Sequence, residues 1–129
     1  MSGSRSMLLA MDAHLALGRY GEELAARYLR ERGLRVLERN WRCPEGEIDI
    51  VALDGDCLVV CEVKTRAGTG VGDPVEAVTR EKAMRLRRLS AAYLRTRTSP
   101  VASVRVDVIG VLARRGRPPV VRHVEAVGS

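Results

Sequence analysis

Residues 46–66 read GEIDIVALDGDCLVVCEVKTR, and this stretch decides what kind of fold the chain can form. Two apolar runs, 46–53 and 57–64, flank the turn signal DGD at residues 54–56, which predicts a β-hairpin. Apolar residues stand on both sides of the charged residues in these runs. We therefore expect both strands at the centre of a sheet, where an unpaired charge is costly.

Charged side chains of this hairpin are predicted to share one face. Side chains alternate across a strand, so Glu47 and Asp49 lie on one face of the first strand, and Glu62 and Lys64 share a face of the second. A two-residue turn whose first residue is Asp54 makes these faces coincide. It sets Glu47 opposite Glu62 and leaves Asp49 as the diagonal neighbour of Glu62, with Cβ atoms roughly 7 Å apart. The opposite face is expected to be core, and it carries Ile48, Ile50, Val59, Cys61 and Val63.

Three acids and a lysine on one face would repel and desolvate one another unless a cation or a substrate lies between them. Mg²⁺ or Mn²⁺ suits these groups, because Mg²⁺ takes oxygen ligands, typically one or two carboxylates together with water and substrate phosphate. The metal would lower the pKa of a bound water, while Lys64 positions that water or shields developing charge. The pattern thus predicts metal-dependent hydrolysis of a phosphodiester. The E-x-K triplet alone has a simpler interpretation, an exposed ion pair that contributes under about 1 kcal/mol.

Twenty of the chain's 22 basic residues are arginine, and the two lysines are Lys64 and Lys82. Lysine is a compact charge on a flexible stem, and its pKa moves readily on burial, whereas arginine stays protonated. A chemical role for Lys64 is therefore expected. Lys82 lies on the sheet-facing side of a predicted helix, where it either reaches the substrate backbone or extends from the edge of the core to solvent.

Helices are predicted on both sides of the hairpin. An apolar stripe at helical spacing predicts a first helix that ends at the stop signal Gly33, after a flexible tail at residues 1–12. Gly18 and Gly21 inside this helix are expected to allow close approach to a neighbouring element. Glu22, beside the stripe, is either an acid of the site or a solvated residue.

The remaining elements complete the order α-β-β-β-α-β-β: a strand at 34–41, a helix at 79–97, and strands at 101–111 and 120–127. The G-x-G-x-G spacing at residues 67–74 differs from the dinucleotide fingerprint, so a mobile loop is expected there. The fold class is therefore α/β, a mixed central sheet flanked by helices, in one domain over residues 13–127.

The net charge of +6 is unevenly distributed along the chain. Residues 1–78 carry 10 basic and 13 acidic side chains, whereas residues 79–129 carry 12 and 3. The second half therefore suits a polyanion, the alternative being an arginine-rich solvated surface. With no Phe, one Trp and three Tyr, the chain lacks stacking platforms, which favours backbone contacts with duplex or branched DNA. The residues expected to contact nucleic acid are Lys82, Arg66, Arg85 and Arg88.

Several residue types carry no predicted chemistry. The cysteines are Cys43, Cys57 and Cys61. Their odd number and the lack of a C-x-x-C pair argue against a disulfide scaffold and a structural zinc site. His14 and His123 are isolated, so neither is assigned a catalytic role, and Asp107 is expected to form a structural ion pair with Arg105. With no span of roughly 20 apolar residues and no convincing signal peptide, we expect a cytoplasmic protein without membrane contact.

Short motifs spread over residues 14–112 resemble those of the uncharacterised bacterial YraN family: Gly21-Glu22, Asn40-Trp41-Arg42, Gly46-Glu47-Ile48-Asp49, Glu62-Val63-Lys64-Thr65-Arg66 and Lys82. That family is identified as a member of the restriction-endonuclease superfamily, the PD-(D/E)xK nucleases, and is similar to archaeal Holliday-junction resolvases. The resemblance implies a restriction-endonuclease-like core with a helix, a mixed central sheet and a second helix. Ile48 stands where the superfamily label has proline, so the motif is relaxed.

The resemblance also implies roles for individual residues. Asp49 matches the metal-binding aspartate, Glu62 the second acidic ligand and Lys64 the catalytic lysine. Glu22 matches the acid that resolvase-like members carry on a helix, and the backbone carbonyl of Val63 would be a further metal ligand. A homodimer stays open, because related resolvases act as dimers on branched DNA.

These observations together predict a Mg²⁺- or Mn²⁺-dependent endonuclease that acts on DNA, branched or flapped DNA included. Two alternatives belong to other functional classes. One is a non-catalytic nucleic-acid-binding module with the same fold, and the other is a scaffold whose basic helix meets an acidic protein partner. RNA remains an alternative to DNA.

Overall fold

The computed structural model of the chain describes residues 2–68, 75 and 78–128, with side chains from residue 5 onward. The elements in these ranges are α1 (Ser2–Glu31), β1 (Arg35–Cys43), β2 (Gly46–Asp54), β3 (Cys57–Ala67), α2 (Arg80–Leu94), β4 (Ser103–Ala113) and β5 (Val120–Val124). The predicted element order is confirmed, and the ends of the strands and of α2 lie within three residues of prediction. Most of the predicted glycine-rich loop, residues 69–74, lies outside the described residues.

The strands form one mixed sheet in the order β1-β2-β3-β4-β5. Neighbouring strands are antiparallel except β3 and β4, which run parallel from the pair Cys57 and Ser103 to the pair Ala67 and Ala113. Parallel neighbours need a long crossover connection, and the segment that contains α2 supplies it. The predicted fold class, a mixed sheet flanked by helices, is therefore confirmed.

The central hairpin turns one residue later than predicted. Leu53 pairs with Leu58 and Asp54 with Cys57, so the two turn residues are Gly55 and Asp56. Gly55 has φ 60°, a value that glycine adopts without steric cost, which explains why it takes the first turn position. The register moves by two residues, an even number, so the shift itself does not turn either strand over. If β2 and β3 stayed paired beyond Ile50 and Cys61, Asp49 rather than Glu47 would stand opposite Glu62.

Each face of the sheet is covered by one helix. On one face, Ala25 and Leu29 of α1 belong to the same buried cluster as Val59 and Cys61. On the other face, the α2 residues Leu86, Leu89 and Tyr93 pack with Val51, Leu58, Val60 and Val106. The alternation predicted for β3 is confirmed, with Cys61 in the core. Burial raises the pKa of the Cys61 thiol well above its ordinary value.

The alternation predicted for β2 is wrong at Asp49. Ile48 belongs to the cluster under α2, whereas Ile50 belongs to the cluster under α1. The pairing of β2 with β3 ends at the pair of Ile50 and Cys61. Beyond that point β3 no longer holds the strand, so β2 can twist and present successive apolar residues to different layers.

Helix α1 begins much earlier than predicted and includes residues 2–12, which the composition indicated as a tail. No glycine or proline interrupts residues 4–17, and the stretch is rich in Met, Leu and Ala, which are strong helix formers. Every side chain from residue 5 to residue 16 is nevertheless exposed. That this stretch is flexible stays a prediction. Within the described ranges, no helix combines the length and the apolar character needed to cross a membrane.

Candidate functional site

The candidate site lies where β2 and β3 separate, just beyond the pair of Ile50 and Cys61, and we call this point the fork. Past the last hydrogen-bonded pair of these strands, the backbone N–H of Val63 donates to Asp49 Oδ2 at 2.8 Å, so a side chain replaces the next rung of the ladder. This bond fixes the Asp49 carboxylate against β3, beside Glu62. The local sequence explains the burial of this side chain. Asp49 stands between two buried isoleucines, Ile48 and Ile50, which leaves its carboxylate half-buried at the fork.

Negative charge is concentrated around Asp49. The pKa of this carboxyl is raised from 3.8 to about 7, first by burial and then by the charges of Glu62, Glu22 and Glu47, while the Val63 N–H opposes the shift. A cation between Asp49 and Glu62 would relieve the repulsion and favour the ionised form. The two carboxylates therefore fit a Mg²⁺ ion, which typically takes one or two protein carboxylates and completes its shell with water and phosphate.

The metal fit rests on two carboxylates rather than on a larger cluster. Across residues 2–68, 75 and 78–128, no group of three or more His, Cys, Asp and Glu side chains is arranged to hold a metal ion. Glu22 faces the site from α1 across a cleft that Asp49 also lines. Glu22 is half-buried, and its negative charge raises the pKa of Asp49, but it does not complete a group of three metal ligands with Asp49 and Glu62.

Both lysines of the chain contact Glu62. Lys64 Nζ lies 3.4 Å from Glu62 Oε1, and Lys82 Nζ lies 3.9 Å from the same oxygen. The lysines are also neighbours of each other. The close approach of the two amines favours the proton on Lys64, so it raises the pKa of Lys64 and lowers that of Lys82, and the Glu62 charge adds to the rise at Lys64.

Asp49 and Glu62 separate two clefts. The first opens toward α2 and is lined by Glu47, Asp49, Glu62, Lys82, Arg85, Leu86 and Leu89. The second opens toward α1, and its lining residues include His14, Gly18, Glu22, Asp49, Glu62 and Lys64. A substrate could therefore reach the carboxylates along α2, whose wall of the cleft carries Lys82 and Arg85, or from the side of α1, where Glu22 adds a further acid.

The predicted site residues are only partly brought together. Glu22, Asp49, Glu62, Val63 and Lys64 all line the α1 cleft. Lys82 and Arg85 line the α2 cleft, and Arg88 lies further along α2 beside Arg85 and Arg95 in an adjoining groove. Arg66 is exposed near the end of β3 and lines none of these three clefts.

His14 lines the α1 cleft together with Glu22, a placement that its isolated position in the sequence did not indicate. His14, Gly18 and Glu22 recur at every fourth residue, a spacing that puts them on one helix face. That spacing could have revealed the residue, but the predicted tail ended just before it. A Cβ added at Gly18 would meet no neighbouring atom within 4 Å, so the expectation that this glycine allows close packing is wrong, and it faces the cleft instead.

A second polar cluster lies away from the carboxylates. Arg105 Nε is 3.1 Å from Asp107 Oδ1, which confirms the predicted ion pair, and Asp107 is fully buried. His123 Nε2 also lies 2.7 Å from Asp107 Oδ2, and His123 Nδ1 lies 3.3 Å from the Tyr28 hydroxyl. His123 is therefore a structural residue that ties β5 and α1 to β4, a role that its isolated position in the sequence did not indicate.

The fold and the site define a mixed α/β protein with two carboxylates and two lysines at the fork of its central strands. Residues 21–111 match the model of the uncharacterised protein family UPF0102. A UPF0102 protein of Streptomyces griseus is 56% identical over 118 residues, covering 91% of this chain and 99% of the relative. A relative from Beutenbergia cavernae is 51% identical, covering 92% and 100%, and one from Nocardia farcinica is 45% identical, covering 96% and 98%. The chain therefore belongs to the UPF0102 family, as the resemblance to YraN predicted.

Proposed function

We propose that this protein is a Mg²⁺- or Mn²⁺-dependent endonuclease that hydrolyses phosphodiester bonds in DNA. The observation that carries the proposal is the fork itself: the Val63 N–H holds Asp49 beside Glu62, and both lysines of the chain meet Glu62 there. Family membership supports a common fold, and the family's name leaves the activity open.

The residues of the fork divide the work of the reaction. Asp49, Glu62 and the carbonyl oxygen of Val63 would hold the cation. When bound, Mg²⁺ supplies positive charge that lowers the pKa of water and offsets charge on phosphate. Lys64, half-buried next to Glu62, positions the attacking water or shields the charge that develops on the phosphate oxygens.

DNA is the substrate that the surrounding charge favours. The segment 79–97 carries seven basic residues and one acidic residue, and two of these basic residues, Lys82 and Arg85, form the basic wall of the α2 cleft. Arg85, Arg88 and Arg95 extend this wall away from the carboxylates. Such a row suits the phosphates of a duplex or branched DNA backbone, and a single-stranded substrate would find few aromatic platforms.

Cleavage of labelled duplex, four-way-junction and flapped DNA with Mg²⁺ or Mn²⁺ tests the proposal. We expect the wild-type protein to cleave at least one of these substrates, and Lys64→Ala to lose at least 100-fold in rate while its DNA affinity changes little. Asp49→Asn should lose cleavage as well, whereas Asp56→Asn, in the exposed hairpin turn, is the matched control and should keep it. Equal cleavage by wild type and Lys64→Ala would overturn the mechanism.

A non-catalytic nucleic-acid-binding module is the second candidate, and the charges of the fork favour it in one respect. Asp49 has a pKa of about 7, and two lysines balance Glu62, so the cluster can neutralise itself without a metal. Calorimetric titration with Mg²⁺ and Mn²⁺ separates the candidates. Metal binding that Asp49→Asn removes supports the nuclease, and DNA binding without any metal binding supports the module.

A further inference from the structure

Glu62 has more positive charge around it than one carboxylate needs. Lys64 and Lys82 both lie within 4 Å of its Oε1 atom, although one of them would suffice to balance its charge. Glu62 exposes 16% of its side chain, Lys64 30% and Lys82 42%. Lys82 is thus the more distant and the more exposed of the two cations, which makes it the one that leaves more readily.

Lys82 stands at a position in α2 where its positive charge does not stabilise the helix. Lys82 lies in the first turn, and its backbone N–H donates to the capping hydroxyl of Thr79 at 3.2 Å. A positive side chain in the first turn opposes the helix dipole, which favours acids at that end. The chain otherwise uses arginine almost throughout, so a lysine here points to the cleft rather than to helix stability.

A divalent cation and Lys82 would compete for Glu62. The cation takes a carboxylate oxygen as its ligand. The Lys82 ammonium group, which lies 3.9 Å from Glu62 Oε1, would then face a like charge. Lys82 carries its charge on four methylene groups, so it can turn away without moving α2. The α2 cleft that it would turn into also holds Arg85, which marks that cleft as a place for phosphate.

We propose that Lys82 exchanges partners: it pairs with Glu62 while the site holds no metal, and it moves to a phosphate of the substrate when a divalent cation occupies Glu62. The inference rests on the proposed function, and it adds that metal and phosphodiester binding are coupled through one side chain. The coupling is reciprocal, because a metal that strengthens DNA binding is itself bound more tightly when DNA is present. The ion pair therefore restrains Lys82 from the substrate until the metal has arrived.

The variant Lys82→Met tests the exchange, because it keeps a flexible stem and removes the charge. Calorimetric titration with Mg²⁺ alone should show tighter binding than in the wild type, by about threefold to tenfold, since a competitor for Glu62 is gone. Anisotropy of a labelled 20-base-pair duplex, titrated with and without Ca²⁺, should show that the cation strengthens DNA binding less than in the wild type. A gel of the titrated DNA checks that it stays intact.

Arg85→Met is the matched control, because Arg85 lines the same cleft and carries the same charge. It should weaken DNA binding by a similar factor with and without the cation, and it should change Mg²⁺ affinity less than Lys82→Met does. Unchanged or weaker Mg²⁺ binding in Lys82→Met would overturn the exchange and leave the nuclease proposal intact. Absence of Mg²⁺ binding in the wild type would overturn both.

Discussion

The environment of Asp49 depends on where the pairing of β2 with β3 ends. Burial beside Glu62 raises its pKa to about 7, so the metal-free site carries a proton at neutral pH for part of the time. The same carboxylate accepts the Val63 N–H, which keeps it at the fork in either protonation state. Its position is thus fixed by the backbone, while its charge responds to its surroundings.

The shift at Asp49 can be measured by carboxyl-carbon NMR titration of the metal-free protein. We expect a midpoint near 7 in the wild type, well above the ordinary 3.8. Glu62→Gln should lower the midpoint by removing the nearest negative charge, yet leave it above 4, because burial is the larger cause. Glu47→Gln, which removes a weaker contributor, should lower it less. A wild-type midpoint near 4 would show that the carboxylate is solvated.

At the scale of elements, the strands that carry the site were largely predictable. The pairing of Glu62 with Lys64 on one face of β3 follows from alternation, which is a local property of the sequence. The turn at Gly55 was misplaced because both DG and GD suit a two-residue loop. The split of Ile48 and Ile50 between two layers depends on where β3 stops pairing with β2, and that is a tertiary property.

The contact between α1 and β3 also follows from a sequence feature, Gly21. A Cβ at this position would overlap the hydroxyl of Thr65 and lie 2.8 Å from its Cβ, so only glycine lets the helix approach β3. The helix carries Glu22 at the next residue. The lack of a Cβ at Gly21 thus sets how near this acid lies to the carboxylates of the fork.

Gly21→Ala should therefore destabilise the protein by roughly 2 kcal/mol, since α1 must shift away from β3 to relieve the overlap. Gly18→Ala is the matched control on the same helix. Open space surrounds its added methyl group, so we expect it to be neutral or to stabilise the helix by up to about 1 kcal/mol. Urea unfolding of both variants measures the difference. Similar stability for the two variants would contradict the close approach.

Across the whole molecule, a chain of polar contacts connects elements that lie far apart in the sequence. It runs from Tyr28 on α1 through His123 on β5 and Asp107 on β4 to Arg105, which also pairs with Asp54 at 2.9 Å. Burial raises the pKa of Asp107, but the hydrogen bonds from His123, Arg105 and the Ala126 N–H outweigh it and hold the pKa below its ordinary value. Folding therefore favours the ionised form of Asp107.

Protonation of Asp107 in acid should lower the stability of the folded protein. Below the ordinary value of 3.8, the unfolded chain binds a proton at this residue more readily than the folded protein does, so stability falls as the pH falls. Asp107→Asn should lose that part of the acid dependence, and it should be destabilised near pH 7 by about 3 kcal/mol because Arg105 and His123 lose a buried partner. Urea unfolding between pH 3 and pH 7 tests both effects. Asp56→Asn, in an exposed turn, should change neither.

The placement of the two lysines has a practical consequence for chemistry in solution. Apart from the terminal amine, the primary amines of this chain are Lys64 and Lys82, and both touch Glu62. An amine-selective reagent, which spares all twenty arginines, would therefore modify the candidate site almost exclusively. The rate of acylation at each lysine then reports what occupies the fork. Mass spectrometry of the wild-type protein, without any substitution, can follow how far a cation or a nucleic acid protects each lysine.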